Sequence, residues 1–302
     1  MPETLKFTVP PEYDGQPAKR FLKGYCTLST RMITSLKREK EGIMMNGKIL
    51  RTIDPVAAGD EVIITLPDEE SAYIKPVEGD LDIVYEDSFL LVINKPPYQP
   101  VHPVKQYQTD TLTNFVVGYS ESRGESYVFR ALNRLDRNTS GLVMIAKDRF
   151  TVNKLKGRVN KTYIAIVHGE LCGSGTVTAP IGLLEDSKIK RHVLSEGTPA
   201  ITHYEALYSS KEYSIIKLWL ETGKTHQIRC HMAHIGHPLL GDDLYGGKRE
   251  LISRHALHCA EMYFEHPVTG ESVKLVSSLP EDMRFAGIEL DSDIYCLPPA
   301  FF

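Results

Sequence analysis

Apolar residues near the start of the chain recur first at helical and then at strand spacing. Phe21, Leu22 and Tyr25, followed by Met32, Ile33 and Leu36, fall three and four apart, with the polar pair Ser29-Thr30 between the two sets. Two short helices are predicted, each with one apolar stripe. Ile43-Met44-Met45 and Lys48-Ile49-Leu50 then flank Asn46-Gly47, a dipeptide that accepts the left-handed backbone of a two-residue hairpin. The stretch VAAGDEVIITL adds a turn and a strand, and the polar run PDEESAYIKPVEGD reads as a connection. These breaks divide the chain into a first domain over 1–70, a linker over 71–80 and a second domain over 81–302.

The second domain opens with LDIVYEDSFLLVINKPPYQPVHP, two strand-like runs around Glu86-Asp87. Pro96, Pro97 and Pro100 have no N–H to give a sheet, so this piece continues as a rigid extended loop. Further strands are predicted over 142–146, 161–171, 200–210, 212–221 and 271–278, and helices over 109–120, 148–159 and 225–236. Strands at hairpin spacing with scattered helices point to an α+β domain around a largely antiparallel sheet, not a regular parallel βαβ series. The first domain is a small α/β unit, and neither a repeat nor a low-complexity tract interrupts the chain.

Hydrophobic content of 42% and charged content of 25% suit a soluble globular protein of 302 residues with a sizeable core. No apolar run approaches the roughly 20 residues that span a bilayer. The N-terminal MPETLKFTVPPEYDGQ lacks the basic start and apolar core of a signal peptide. Cys26, Cys172, Cys230, Cys259 and Cys296 are scattered without a CxxC pair, which fits reduced thiols better than a disulfide framework. A cytoplasmic protein without a membrane partner is expected.

The net charge of −4 hides an uneven distribution. Residues 19–51 hold nine Lys/Arg against two acids (+7), and residues 121–161 hold ten against four (+6). The last stretch, 271–302, holds two basic against six acidic residues (−4). Two separated basic regions on an otherwise acidic chain match a phosphate-tracking surface, although solvated Lys/Arg faces give the same count.

Candidate chemistry sits in LNRLDRNTSGL, where Asp136 stands between Arg134 and Arg137. A cation within about 4–6 Å lowers a carboxylate pKa by roughly 1–3 units, so such an Asp suits nucleophile or proton acceptor better than general acid. An Arg-Asp-Arg cluster at a strand edge with a purely structural role accounts for the same residues, and local chemistry leaves both readings open. A second stretch, ETGKTHQIRCHMAHIGHPLLGDDLYGG, predicts a helix from Thr225, its candidate N-cap. Ile228, Met232 and Ile235 line one face of that helix and Gln227, His231 and His234 a neighbouring one. His226, His231, His234 and His237 raise a metal reading, and His255 with His258 adds a similar pair. No Glu inside the helix supplies a base and no cysteines pair, so no metal is expected. Arg229, mid-motif, is the better-placed partner for a carboxylate or phosphate.

Two family resemblances join these fragments. AKRFL, STRMITSLKREKEGIMMNGKIL and VAAGDEVII resemble the ribosomal protein S-four type (alpha-L) RNA-binding domain. That likeness implies contacts to structured RNA from Arg20, Arg31, Lys37, Arg38 and Lys48. NRLDRNTSGL, KTYIAIVHGEL, GKTHQIRCHMAHIGHPLLGDDLYG and HALHCAEMYFEHPVTGE resemble, in order, the signature segments of the RluA-type pseudouridine synthases over about 81–285. The family's fold is a mixed, mainly antiparallel sheet flanked by helices, with a central cleft. Its reaction detaches a uracil from its ribose, turns it and rejoins it through carbon, so no cofactor is implied.

By this resemblance Asp136 acts on the ribose of a flipped-out uridine, Arg229 pairs with it and Tyr163 stacks on the base. Arg134 fills the vacated space or holds the neighbouring phosphate, and Arg137, Lys95, His102, Lys224 and His226 join the RNA-binding surface. The implied partner is RNA, ribosomal ahead of transfer RNA, with no obligate protein partner. The chain departs from the family pattern at Asn133 (usually His), Lys224 (usually Arg) and near Tyr98 (usually Gly). A catalytically silent RNA-binding or ribosome-assembly protein and a histidine-based metal hydrolase are the rival classes.

Overall fold

The computed structural model describes residues 4–66, 74–104, 106–125, 128–184, 187 and 189–284. Its first part is a four-stranded antiparallel sheet of β1 (Thr4–Thr8), β2 (Ile43–Met45), β3 (Lys48–Ile49) and β4 (Glu61–Thr65), in the order β1-β4-β2-β3. Helices α1 (Ala18–Gly24) and α2 (Thr30–Leu36) bring Phe21, Leu22, Met32, Ile33 and Leu36 into a core with Leu5, Val62 and Ile64. Ser29 caps α2 by accepting the Met32 N–H at 3.1 Å. Asn46 (φ 47°) and Gly47 (φ 77°) are both left-handed, as a type I′ hairpin turn requires. Strand β1, absent from the sequence expectation, adds an edge to this sheet.

The second part is a ten-stranded sheet. In chain order it comprises β5 (Ile83–Glu86), β6 (Leu90–Lys95), helix α3 (Leu112–Ser122), β7 (Arg130–Ala131), β8 (Ser140–Ala146), helix α4 (Arg149–Leu155), β9 (Asn160–His168) and β10 (Ser174–Thr178). A separate hairpin of β11 (Ile181–Leu183) and β12 (Arg191–Val193) follows. The chain returns through β13 (Ile201–Ser209), β14 (Tyr213–Leu220), helix α5 (Gln227–His234), β15 (Leu257–Glu265) and β16 (Ser272–Val276). The strand order is β10-β13-β14-β9-β15-β8-β6-β5, with β16 beside β15 and β7 beside β8. Among the described strands only β8 and β15 pair in parallel, through His258 with Ser140 and Cys259 with Gly141. The expected mixed, mainly antiparallel α+β fold is therefore present.

Burial explains these strands. All seven residues of β8 are buried, because layers of side chains cover both faces of the sheet there, and a two-sided strand reads as a continuous apolar run. On β9, Tyr163, Ala165 and Val167 face one core, whereas Ile164 and Ile166 face another with Ile215, Leu240 and Ala260. The helices are shorter than predicted. Thr111 and Asn114 form a capping box that starts α3 at Leu112, and α5 begins at Gln227. Among the linker residues, 71–73 lie outside those described, whereas Val77 N–H bonds Asn114 O (3.1 Å) and Asn114 Nδ2 bonds Lys75 O (2.8 Å), docking this piece on α3. The two parts meet at α4, where Phe150 enters the first core edge-on to Phe7, with ring centroids 6.2 Å apart. Residues 285–302, with Cys296 and much of the acidic stretch, lie outside the described residues. No described helix is long and apolar enough to cross a membrane.

Candidate active site

The segments flanking the middle of the large sheet enclose a cavity of about 1890 Å³, lined among others by Arg134, Asp136, Tyr163, Lys224 and His226. Asp136 projects from the loop between β7 and β8. Two features give that loop its shape. The Asp136 carbonyl accepts the Thr139 N–H at 3.0 Å, closing a turn. Asn133 substitutes a side-chain amide for a peptide: its Nδ2 donates to Leu142 O (3.0 Å) and its Oδ1 accepts from Met144 N (2.9 Å). One donor and one acceptor on one planar group thus extend the β7 ladder along β8.

The carboxylate's partner in space is Arg229, which stands 93 positions further along the chain and donates from Nη1 to Asp136 Oδ2 at 2.9 Å. The other edge of the guanidinium is gripped by Asp242, through Nε to Oδ2 at 2.7 Å and Nη2 to Oδ1 at 2.8 Å. Asp242 is 1% exposed, so this fork-to-fork pair is shielded from water. Tyr245 lies beneath the guanidinium, 5.1 Å from ring centroid to Cζ. Burial opposes the Arg229 charge, but Asp242 and then Asp136 more than offset it and raise its pKa further. No donor among the described residues reaches Asp136 Oδ1, which leaves that oxygen open beside the cavity.

Buried polar groups fasten the Asp136 loop to the sheet. Lys95, at the end of β6, is fully buried and donates to the carbonyls of Pro96 (2.7 Å), Gln99 (2.9 Å) and Arg137 (3.2 Å). Burial, with help from Arg254, pulls its pKa down to about 7, against the pull of Asp136. Arg254, also fully buried, pairs with Asp282 at 2.7 and 2.8 Å and donates to Asn138 O at 3.0 Å. Thr139 bonds His255 Nε2 at 2.8 Å and Ser140 bonds His258 Nδ1 at 3.0 Å, bolting the start of β8 to β15. Burial drives both imidazoles toward the neutral form, His258 to about 4. Gly141 (φ 107°) lies against the Cys259 backbone, where a Cβ would collide.

Tyr163 is 6% exposed and lines the same cavity. Burial, then neighbouring Cys259, pushes its phenol pKa well above the ordinary value, so the hydroxyl keeps its proton. Burial likewise raises the Cys259 thiol to about 12, which makes it an apolar wall and not a nucleophile.

Several sequence-based assignments change. Lys95 is turned inward and holds loops, not RNA. His226 is also directed inward, with its side chain 11% exposed and its Nε2 3.6 Å from Asp136 Oδ2. Thr225 does not cap α5; His226 is the residue before it, in the left-handed region at φ 56°. His231 is buried, with Nδ1 on Thr202 and Nε2 on the Ala179 carbonyl, both at 2.9 Å, while His234 is exposed. Arg137 does not touch Asp136 but stacks on Tyr107 at 4.8 Å. Arg134, His102 and Lys224 are exposed along the cavity. Arg20, Lys37, Arg38 and Lys48 are exposed on the first part, and the side chain of Arg31 lies outside the described residues. Tyr98 adopts φ 67°, the conformation a glycine would take without strain, and its hydroxyl pairs with Ser253 at 2.7 Å.

Sequence reasoning missed Asp242, Tyr245, Arg254 and Asp282. Asp242 and Tyr245 stand in the quoted GDDLYGG, but only the fold distinguishes buried Asp242 from its exposed neighbour Asp243. Among the described residues no three His, Cys, Asp or Glu side chains gather at metal-ligand spacing.

The sequence profile of the RNA pseudouridylate synthase family matches residues 89–234. The uncharacterized RNA pseudouridine synthase YjbO of Bacillus subtilis (strain 168) is 38% identical over 86% of this chain and 94% of that protein. Ribosomal large subunit pseudouridine synthase D of Vibrio parahaemolyticus is 33% identical over 86% of each. Among solved structures, human RNA pseudouridylate synthase domain containing 1 superposes with a TM-score of 0.53 at 25% identity, over 70% of this chain and 86% of that one.

Proposed function

The chain belongs to the RluA-type RNA pseudouridine synthases, enzymes that isomerise RNA uridines, and from that premise we propose that Asp136 is the group that acts on the ribose of the target uridine. The observation carrying this reading is the asymmetry of its carboxylate. Arg229 holds Oδ2, while Oδ1 is left without a donor among the described residues, and Asp136 and Tyr163 line the same cavity. A uridine swung out of its RNA stack enters that cavity, with its base against the Tyr163 ring. The bond from ribose C1′ to uracil N1 breaks, the base turns, and a bond from C1′ to C5 forms. C5 loses the proton that N1 gains, so atoms and charge balance. Arg229, anchored by Asp242, keeps a cation beside Asp136 throughout, in a site already organised before substrate arrives.

The natural substrate in this reading is ribosomal RNA. Support comes from relatives named ribosomal large subunit pseudouridine synthase D and from the exposed basic residues of the first part. Residues 1–70 serve as an alpha-L type RNA-binding domain joined through 71–80 to a catalytic domain over 81–302, and Arg20, Arg31, Lys37, Arg38 and Lys48 contact RNA remote from the target base. Arg134, Arg137, His102 and Lys224 grip the strand around the cavity, and the enzyme works in the cytoplasm without a cofactor.

Asp136→Asn tests the central point, since it keeps shape and removes charge. Purified enzyme and ribosomal RNA lacking modifications are incubated and pseudouridine is mapped. Turnover should vanish in the variant while RNA affinity stays within about 3-fold; an undiminished rate would remove Asp136 from the mechanism. Absence of pseudouridine with the unaltered enzyme, on ribosomal and transfer RNA alike, would favour a silent RNA-binding protein.

A further inference from the structure

His226 occupies a backbone conformation that disfavours any residue with a Cβ, and its side chain forms no cap bond to the helix that follows. The imidazole instead bridges two groups of the site. Its Nδ1 lies 3.2 Å from the Tyr245 hydroxyl and its Nε2 lies 3.6 Å from Asp136 Oδ2. The Tyr245 oxygen already accepts the Arg191 amide N–H at 2.8 Å. With that lone pair engaged, the phenol proton goes to Nδ1, which selects the tautomer carrying its own proton on Nε2. Burial lowers the imidazole pKa, Asp136 opposes that shift, and Arg229 adds to it, so the neutral ring is favoured. A neutral ring in this tautomer directs an N–H at Oδ2, the oxygen that Arg229 Nη1 also holds.

We propose that His226 is a positioning residue for the reaction: together with Arg229 it fixes Oδ2 of Asp136 and thereby makes Oδ1 the oxygen that meets the ribose. This rests on the reading of Asp136 given above. At 3.6 Å the contact is longer than a hydrogen bond, and it shortens to one when RNA fills the cavity, as active-site contacts commonly do on substrate binding. The left-handed backbone of His226 fits this role, because such strain persists where surrounding contacts hold it and it clusters at active sites.

His226→Gly separates positioning from structure. Glycine suits the left-handed turn, so folding and melting temperature are maintained or improved, while the donor is lost. The expected result is a kcat lower by about 10- to 100-fold, the range for a hydrogen bond to a charged group, with KM unchanged within about 3-fold. His226→Gln, which restores a donor at similar reach, should recover part of that loss despite straining the turn. Tyr245→Phe keeps the ring beneath Arg229 and deletes the hydroxyl that selects the tautomer; it should also lower kcat at constant KM. An unchanged kcat in His226→Gly, or a rise in KM alone, overturns the proposal. So does a Gln variant no better than Gly. Should the glycine variant fail to fold, an unchanged kcat in Tyr245→Phe overturns it instead. Asp136→Asn in the same assay keeps the two ideas apart: activity surviving there sinks the role of Asp136 itself, whereas activity lost there but intact in His226→Gly sinks only the role of His226.

Discussion

Replacing Asp242 by Asn changes one atom's identity at the base of the site and tests whether Arg229 is held from behind. The carboxylate gives Arg229 two charge-assisted bonds, 2.7 and 2.8 Å long, with its side chain fully shielded from solvent. Asn keeps one acceptor and turns an N–H₂ toward a guanidinium N–H, so one bond is lost and a donor faces a donor. Altering one partner of a buried ion pair costs about 3–5 kcal/mol, because the remaining charge stays buried. Arg229 retains Asp136 as a counter-charge, which places the expected cost near the lower end, about 3 kcal/mol. For a chain of 302 residues, at about 2.1 cal/mol/K of unfolding entropy per residue, that corresponds to a melting temperature lower by roughly 5 °C. Freed from its anchor, Arg229 also loses its fixed angle to Asp136, and kcat should fall by about 10- to 100-fold with KM little changed. The assays are thermal unfolding and pseudouridine formation under saturating RNA. Asp243→Asn is the matched control: Asp243 pairs with Arg249 on the surface, where both side chains are more than half exposed, so less than about 1 kcal/mol is at stake. Equal effects from the two substitutions, or an unaltered Asp242→Asn enzyme, would refute the idea that buried Asp242 orients the site.

Three further outcomes follow from the groups around the Asp136 loop. Gly141→Ala drives a Cβ into the Cys259 backbone at a left-handed position, so the two-residue parallel pairing of β8 with β15 should fail; loss of the cooperative thermal transition is expected, and a fully active, normally melting variant would contradict the geometry. Asn133→Ala leaves the Leu142 carbonyl and Met144 amide without their side-chain partner, at a cost of about 2–4 kcal/mol read by denaturant unfolding. An unchanged midpoint would mean that water replaces the amide. Lys95 makes stability depend on pH in a defined direction. Below about 7 both folded and unfolded chains hold its proton, whereas between about 7 and the ordinary 10.5 only the unfolded chain does. The unfolded state then binds more protons, so this group's contribution to stability rises with pH across that window. The stability difference between the parent and Lys95→Met should shift in the parent's favour from pH 7 to pH 9 or so, and a shift the other way would show that the ammonium is stabilised where it lies.

Legibility in the sequence tracked how local each feature's cause was. Asn46-Gly47, the polar Ser29-Thr30 before α2 and the strand-forming runs of β9 and β14 act over a few residues, and each appeared where the pattern placed it. Strand β15 was not legible, although it joins the two halves of the large sheet. Its nine residues mix His258, Cys259 and Glu261 with apolar neighbours; Ser140, 118 positions away, meets His258 in the core and Lys274 approaches Glu261 to 3.5 Å, partners that no local pattern announces. Lys95 misled for the same reason. A lysine beside a proline-rich loop reads as exposed until the fold brings three carbonyls around it.

For the site, sequence motifs alone named Asp136, Tyr163 and Arg229 and implied the chemistry of their family. What they left undecided was what surrounds the carboxylate. Arg134 and Arg137 are its neighbours along the chain, yet backbone geometry turns Arg137 onto Tyr107 and leaves Arg134 exposed to the cavity. Arg229, Asp242, Tyr245 and His226 reach Asp136 or support its partners only because α5 and the turn after it fold back over the β7–β8 loop. Electrostatic control of a reactive group depends on distance in space and on exclusion of water. The chain sequence therefore determined the family and the candidate residues of its site, and the tertiary structure decided which oxygen of Asp136 is held by Arg229 and what holds Arg229 in turn.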